Sequence, residues 1–189
     1  MGPWVNSFDQ LDNNKKNQSM VRLVKGSHIV VKKLFNHDSA YIFQGKDGRI
    51  IFSIPYEKDF TLIGTTEVEH NEGIEVKCSD EEKKYLCDFA SNYFQKKIIV
   101  EDIIWDFSGV RALYENKTVE ARNASRDYTF EVEEEEGSIL LTVYGGKITT
   151  HRKLAEKAVS KITSLLKLNR KEWTSRQHLP GGDFKIEDK

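Results

Sequence analysis

Ser138-Ile-Leu-Leu-Thr-Val-Tyr-Gly-Gly-Lys-Ile-Thr-Thr-His-Arg152 is the stretch on which the reading of the chain turns. An apolar run of strand type stops at Gly145-Gly146 and passes into a helical pattern. Ile148, Leu154, Ala155, Ala158, Val159, Ile162, Leu165 and Leu166 recur there at spacings of three and four. Thr149 and Thr150 stand where an N-cap hydroxyl belongs. A strand that enters a helix through paired glycines bares backbone N–H groups, and the helix N-terminus adds partial positive charge. Lys147 adds a full one. The turn therefore suits an anionic or electron-rich ligand, although a glycine pair also serves as plain turn chemistry.

Upstream of this unit, Asp127-Tyr-Thr-Phe-Glu-Val132 reads as a strand, and Glu133 to Glu136 with Gly137 as a solvated hairpin tip. Earlier still, Val21–Val24 and His28–Val31 read as two short strands around Lys25-Gly26-Ser27. Ala40–Gln44 follows, and Gly45–Gly48 makes a hairpin turn into Arg49–Ile54. Phe60–Thr66 is another strand. Ser79 and Glu82 form a capping box that opens a helix reaching about Gln95, with Leu86, Phe89, Ala90, Tyr93 and Phe94 on its apolar face. Asp102–Tyr114 returns to strand character, with Trp105, Phe107 and Val110 alternating, and Trp173–Lys189 reads as loop. The pattern predicts an α+β fold: a mixed, mostly antiparallel sheet closed by one strand–turn–helix unit.

Composition narrows the classes. With 29 Lys and Arg against 30 Asp and Glu, the net charge of −1 argues against bulk attraction to nucleic acid or an anionic membrane. Cys78 and Cys87 lack metal spacing and are too few for a disulfide framework, so they read as free thiols of a reducing cytoplasm, with no metal site expected. No N-terminal signal pattern is legible, and no apolar run approaches the ~20 residues of a spanning helix.

Three islands combine glycine or serine, a charged residue and a strand end: Lys25-Gly-Ser-His28, Ser108-Gly-Val-Arg111 and Ser125-Arg-Asp127. His28 is suited to proton transfer near neutrality, or equally to a structural hydrogen bond at a strand end. Arg111 must reach solvent or pair with an anion, because an unpaired buried guanidinium is costly. Arg126 sits beside Asp127, which offers an ordinary ion pair. Arg111, Arg126 and Lys147 gathered in one pocket would suit a phosphate instead.

In this order and spacing, the islands resemble those of the FAD-dependent glycerol-3-phosphate dehydrogenases of the aerobic type. The resemblance runs through Gly2-Pro-Trp-Val5, Val21–Val31, Arg49–Tyr56, Asp59–Thr66, Trp105–Arg111, Ser125–Tyr128, Tyr144–Thr150 and Leu179-Pro-Gly-Gly182, nearly the whole chain. It implies a flavoenzyme with a Rossmann-type FAD domain and a sheet-based domain that binds glycerol 3-phosphate. Oxidation would give dihydroxyacetone phosphate, with the electrons passed to a membrane quinone. By motif, Arg111 and Arg126 would grip the substrate phosphate and His28 would act as acid–base group. Gly145, Gly146, Lys147, Ile148 and Thr149 would lie at the pyrimidine end of the flavin, with Lys147 stabilising negative charge there.

The resemblance further implies a division of the chain. Residues 1–20 would be a remnant of the FAD domain and a loop, and 21–132 the substrate-binding sheet domain. Residues 138–168 would be the final strand and helix of an incomplete FAD domain, and 169–189 a C-terminal loop. The sequence departs from the family pattern at Ala112 and Lys32, where proline is usual, and at His151, where tyrosine is usual. It contains no G-x-G-x-x-G fingerprint. The chain is therefore expected to be a fragment from a split or eroded gene, or a truncated chain, inactive alone and needing a separately encoded FAD-binding half. The alternative is a non-enzymatic remnant. As part of an intact enzyme it would be cytoplasmic and peripheral to the cytoplasmic membrane.

Overall fold

A single strand, β1 (Val21–Lys32), runs through the place where two short strands are predicted. Lys25-Gly26-Ser27 makes no turn because each residue is held in register: Lys25 lies opposite Val110, Gly26 opposite Gly109 and Ser27 opposite Ser108. The computed structural model describes residues 2–4, 21–46, 48–71, 75–114, 127–135 and 137–184. The chain divides into two units, residues 1–115 and 116–189.

In the first unit β1 is the centre of a six-stranded sheet. The remaining strands are β2 (Tyr41–Gln44), β3 (Ile50–Tyr56), β4 (Phe60–Gly64), β5 (Val68–Glu69) and β6 (Ile103–Tyr114). β6 pairs with β1 from Val21 to Val31, so β4 and β5 share its other edge, opposite His28–Lys32 and Val24–Lys25 respectively. β3 and β2 extend the sheet beyond β4. Every pairing among the described residues is antiparallel. The turn at Gly45–Gly48 closes as expected, Gly45 N donating to Arg49 O at 2.8 Å and Gly48 N to Gly45 O at 3.0 Å.

The predicted capping box is present. Helix α1 (Asp80–Ser91) begins with Ser79 Oγ accepting from Glu82 N and Glu82 Oε2 accepting from Ser79 N. Asp80, Glu81 and Glu82 place negative charge against the positive end of the helix. The helix stops at Ser91, earlier than predicted. Ser91 Oγ donates back to Cys87 O at 2.7 Å and accepts from Ile98 N at 2.9 Å, turning the chain away. Leu86, Cys87, Phe89 and Ala90 of α1 pack on Ile29 and Val31 of β1, Ile51 of β3 and Ile63 of β4. Both cysteines are free and buried, and burial is the main cause that pushes each thiol up to about 11. Neither is a ready nucleophile.

Glu82 is also the hub between helix and sheet. Its Oε1 accepts from Ser27 Oγ at 2.8 Å and Thr66 Oγ1 at 2.7 Å, and its Oε2 pairs with Lys25 Nζ at 2.8 Å. With both hydroxyls committed as donors, Ser108 must donate to Ser27 across 2.7 Å, and Thr66 Oγ1 accepts from Ser27 N at 2.9 Å. The carboxylate's acceptor sites are filled, which is what lets a charge lie buried there.

In the second unit β7 (Thr129–Glu135) and β8 (Ser138–Tyr144) form a two-stranded sheet. The acidic run is strand rather than tip as far as Glu135, and Gly137, at φ 82°, makes the turn. After Gly146 the chain forms a 3-10 turn over Ile148–Thr150 and then α2 (His151–Leu165). Thr150 is the N-cap by position, but its hydroxyl donates to Lys147 O at 3.0 Å, so no side chain caps α2. No helix among the described residues is long and apolar enough to cross a membrane.

Glu82→Gln should lower the unfolding free energy at pH 7 by about 3–5 kcal/mol, because Lys25 is left without its counter-charge in a buried site. A urea titration showing a loss under about 1 kcal/mol, the scale of an exposed pair, would remove the carboxylate from its role as hub. Burial alone would raise the Glu82 pKa, but hydrogen bonds from Lys25, the Ser79 backbone, Thr66 and Ser27 outweigh it and hold the group at about 2. A depressed carboxyl stabilises above its ordinary value of 4.5 and loses that contribution as pH falls through about 2. Wild-type stability should fall more steeply than that of the Gln variant across this window.

Candidate functional site

The two faces of the six-stranded sheet differ in kind. Residues directly opposite each other on an antiparallel ladder share a face, and residues along a strand alternate. Lys25, Ser27, Ile29 and Val31 face α1. Val24, Gly26, His28 and Val30 face the other way, paired with Arg111, Gly109, Phe107 and Trp105. Trp105, Phe107, Gly109 and Arg111 therefore form one stripe of β6, whereas Val110 lies opposite Lys25 on the helix side, out of the alternation predicted for it.

Across the strands the stripe extends into rows. Ile42, Phe52, Gly64, His28 and Phe107 follow one another in register. The next row holds Ile54, Leu62, Val30 and Trp105, with Trp105 51% exposed. His28 stacks on Phe107, ring centroids 4.9 Å apart and 8° from parallel. Its other side lies on Gly64, where any Cβ would overlap the imidazole, Cγ being 2.7 Å from that point. The ring is thus clamped between an aromatic ring and bare backbone.

Burial first, and the Arg111 guanidinium second, push the His28 pKa below its ordinary 6.5. The imidazole is neutral at pH 7 and able to take a proton. Its Nδ1 is buried without a hydrogen-bond partner among the described residues. Arg111 is in the same condition. Nη1 lies over Gly26, 3.1 Å from where a Cβ would stand, and is buried without a hydrogen bond among the described residues. It forms a long ion pair with Glu67 Oε1 at 3.9 Å, and the side chain as a whole is 37% exposed. A guanidinium nitrogen with no hydrogen bond among the described residues, beside a neutral imidazole on a glycine floor, could hold an anion next to a base.

The other predicted residues belong to the second unit. Gly145 and Gly146 have φ of 72° and 97°, where a side chain is disfavoured, and a Cβ on Gly145 would stand 2.8 Å from Asp127 O. Lys147, Ile148 and Thr149 are exposed, and the α2 N-terminus carries no side-chain cap. These residues fit the ring end of a flavin: a bare backbone turn, a cation and an uncapped helix N-terminus. His151 donates from Nδ1 to Ile148 O at 2.7 Å, which fixes this turn from within. Arg126 and Ser125 lie outside the described residues.

Gly64, Gly26 and Phe107 were not legible as parts of the site. Their signal is positional: a strand glycine opposite a histidine means something only once the register is known.

The FAD dependent oxidoreductase family profile matches residues 1–152. The aerobic glycerol-3-phosphate dehydrogenase of Escherichia coli (strain K12) is 40% identical over 96% of this chain and 36% of its own length. The D-erythritol 1-phosphate dehydrogenase of Brucella abortus (strain 2308) is 40% identical over 97% of this chain and 37% of its own. The glycerol-3-phosphate dehydrogenase from Bacillus halodurans, solved in complex with FAD, aligns with a TM-score of 0.73 at 27% identity, over 96% of this chain and 34% of that one. The chain thus spans about a third of the length of the relatives it matches. A profile match over most of the chain makes this protein a member of the FAD-dependent oxidoreductase family.

Proposed function

We propose that this chain is the substrate-binding part of a flavoprotein that oxidises sn-glycerol 3-phosphate to dihydroxyacetone phosphate. The observation that carries the reading is Arg111 Nη1, buried with no hydrogen bond among the described residues, beside the neutral His28 on the face away from α1. Arg111, with Arg126, holds the phosphate. His28 accepts the C2 hydroxyl proton while the C2 hydrogen departs with its electron pair, leaving the ketone. The flavin, when bound, supplies the acceptor for that pair. Gly145, Gly146, Lys147, Ile148 and Thr149 hold its pyrimidine end, Lys147 by charge. We place the onward acceptor in the membrane as a quinone, and the protein on the cytoplasmic side.

The reading includes a separately encoded FAD-binding half. What supports it is the apolar face of the second unit, where Ile148 is 85% exposed and Val159 and Leu166 are each 54% exposed. Residues 21–132 would then bind substrate, with 138–168 completing the FAD domain of that half. A second reading is a non-enzymatic remnant of such a dehydrogenase. The test is a flavin titration of the chain alone and mixed with the N-terminal half of a relative, scored by bound-flavin absorbance and by dye reduction with glycerol 3-phosphate. Turnover only in the mixture is expected; no bound flavin and no turnover in either tube would leave the remnant reading standing.

In the active mixture, Arg111→Lys should raise the Michaelis constant by removing the bidentate fork, and Arg111→Ala should cost roughly 2–5 kcal/mol. Unchanged Michaelis constants in both would exclude the phosphate role. His28→Ala should lower turnover by about 10²-fold or more, and normal turnover would make His28 structural. In the chain alone, the His28 imidazole followed by NMR should titrate below 6.5. Because the unfolded state binds the proton first, stability should decline as pH falls below 6.5.

A further inference from the structure

Nothing among the described residues requires position 109 to be glycine. It lies inside β6, where glycine is unfavourable for lack of a side chain to pack. Its φ is outside the positive region that favours glycine, and a Cβ built on it meets no described atom within 4 Å. Its partner Gly26 is different: a Cβ there would stand 2.6 Å from Thr65 Oγ1 and 3.1 Å from Arg111 Nη1. Gly64 is different too, since His28 fills the space above it. Of the three glycines on this face, Gly109 alone has no described atom over the place of its missing side chain.

That space has a defined place. The Gly26–Gly109 row lies between the row of Arg111 and the row of His28 and Phe107. Successive rows on one face are about 7 Å apart. With the Arg111 guanidinium reaching over Gly26, an anion held there and a group meeting His28 are separated by about one row, a gap spanned by a phosphate ester of a short polyol. We infer that Gly109 is a specificity-determining position: its missing side chain makes room for the carbon chain of a phosphorylated polyol between Arg111 and His28. The inference rests on the proposed substrate site and adds to it which residue sets the room. An inorganic phosphate needs the arginines but not the room over Gly109, so a side chain at position 109 should discriminate between the two ligands.

The test uses the full 189-residue chain and its Gly109→Ala and Gly109→Val variants, titrated separately with inorganic phosphate and glycerol 3-phosphate. Amide NMR signals of residues 105–111 report binding, and thermal melts report folding. Both variants should melt at or above the wild-type midpoint and bind phosphate within about twofold of wild type. Glycerol 3-phosphate should weaken at least tenfold in Gly109→Ala and be lost in Gly109→Val. A variant that binds glycerol 3-phosphate as wild type does overturns the inference while leaving the proposed function intact. A Gly109→Ala chain that melts well below wild type also overturns it, because the fold itself then requires the glycine. A wild-type chain that binds neither ligand overturns the proposed substrate site, and this inference with it.

Discussion

The first unit depends on one buried carboxylate. Glu82 closes the capping box of α1, accepts two hydroxyl protons from β1 and the segment after β4, and neutralises Lys25. Helix formation and sheet attachment are therefore one event at this residue. Desolvation of the charge opposes the arrangement, and only the complete set of donors offsets it. The same contacts fix Ser27 from one side, and Ser27 precedes the histidine that faces the other way. Structural polarity is concentrated on the helix side of β1, and the polarity of His28 and Arg111 on the opposite side.

This separation explains how one strand serves two purposes without conflict. Alternation sends Lys25, Ser27 and Ile29 into the helix interface and Val24, Gly26 and His28 to the site. β6 carries the matching division, with Lys83 paired to Asp106 at 3.0 Å on the helix side and Phe107, Gly109 and Arg111 on the other. Glycines at positions 26 and 64 let the site's side chains lie flat on the sheet instead of standing away from it, which brings a guanidinium and an imidazole close enough for the first to lower the pKa of the second.

Much of this was legible in the sequence. Ser79 and Glu82 at capping-box spacing identify the start of α1, Gly45–Gly48 identifies its hairpin, and Gly145-Gly146 identifies the break between β8 and the helical segment. The continuity of β1 was not, because Gly26-Ser27 looks like a turn until Gly109-Ser108 is seen opposite. The acidic run misled for a related reason: Glu133 and Glu134 are strand residues because Leu140 and Ile139 pair with them. Thr150 has the right identity and place for a cap, but its hydroxyl is taken by Lys147 O. Local chemistry is readable from a chain; cross-strand partnership decides which of the local options is used.

The long register of β1 has one more consequence. His28, Arg111 and the glycine floor come together only when β1 meets β6 and β4 at a single alignment, and a slip of one residue would turn His28 toward α1. A ligand that bridges those rows binds the correctly aligned sheet and none of its slipped competitors. Occupancy of the proposed site would therefore proofread strand assembly, adding its binding free energy to the one topology that can hold it.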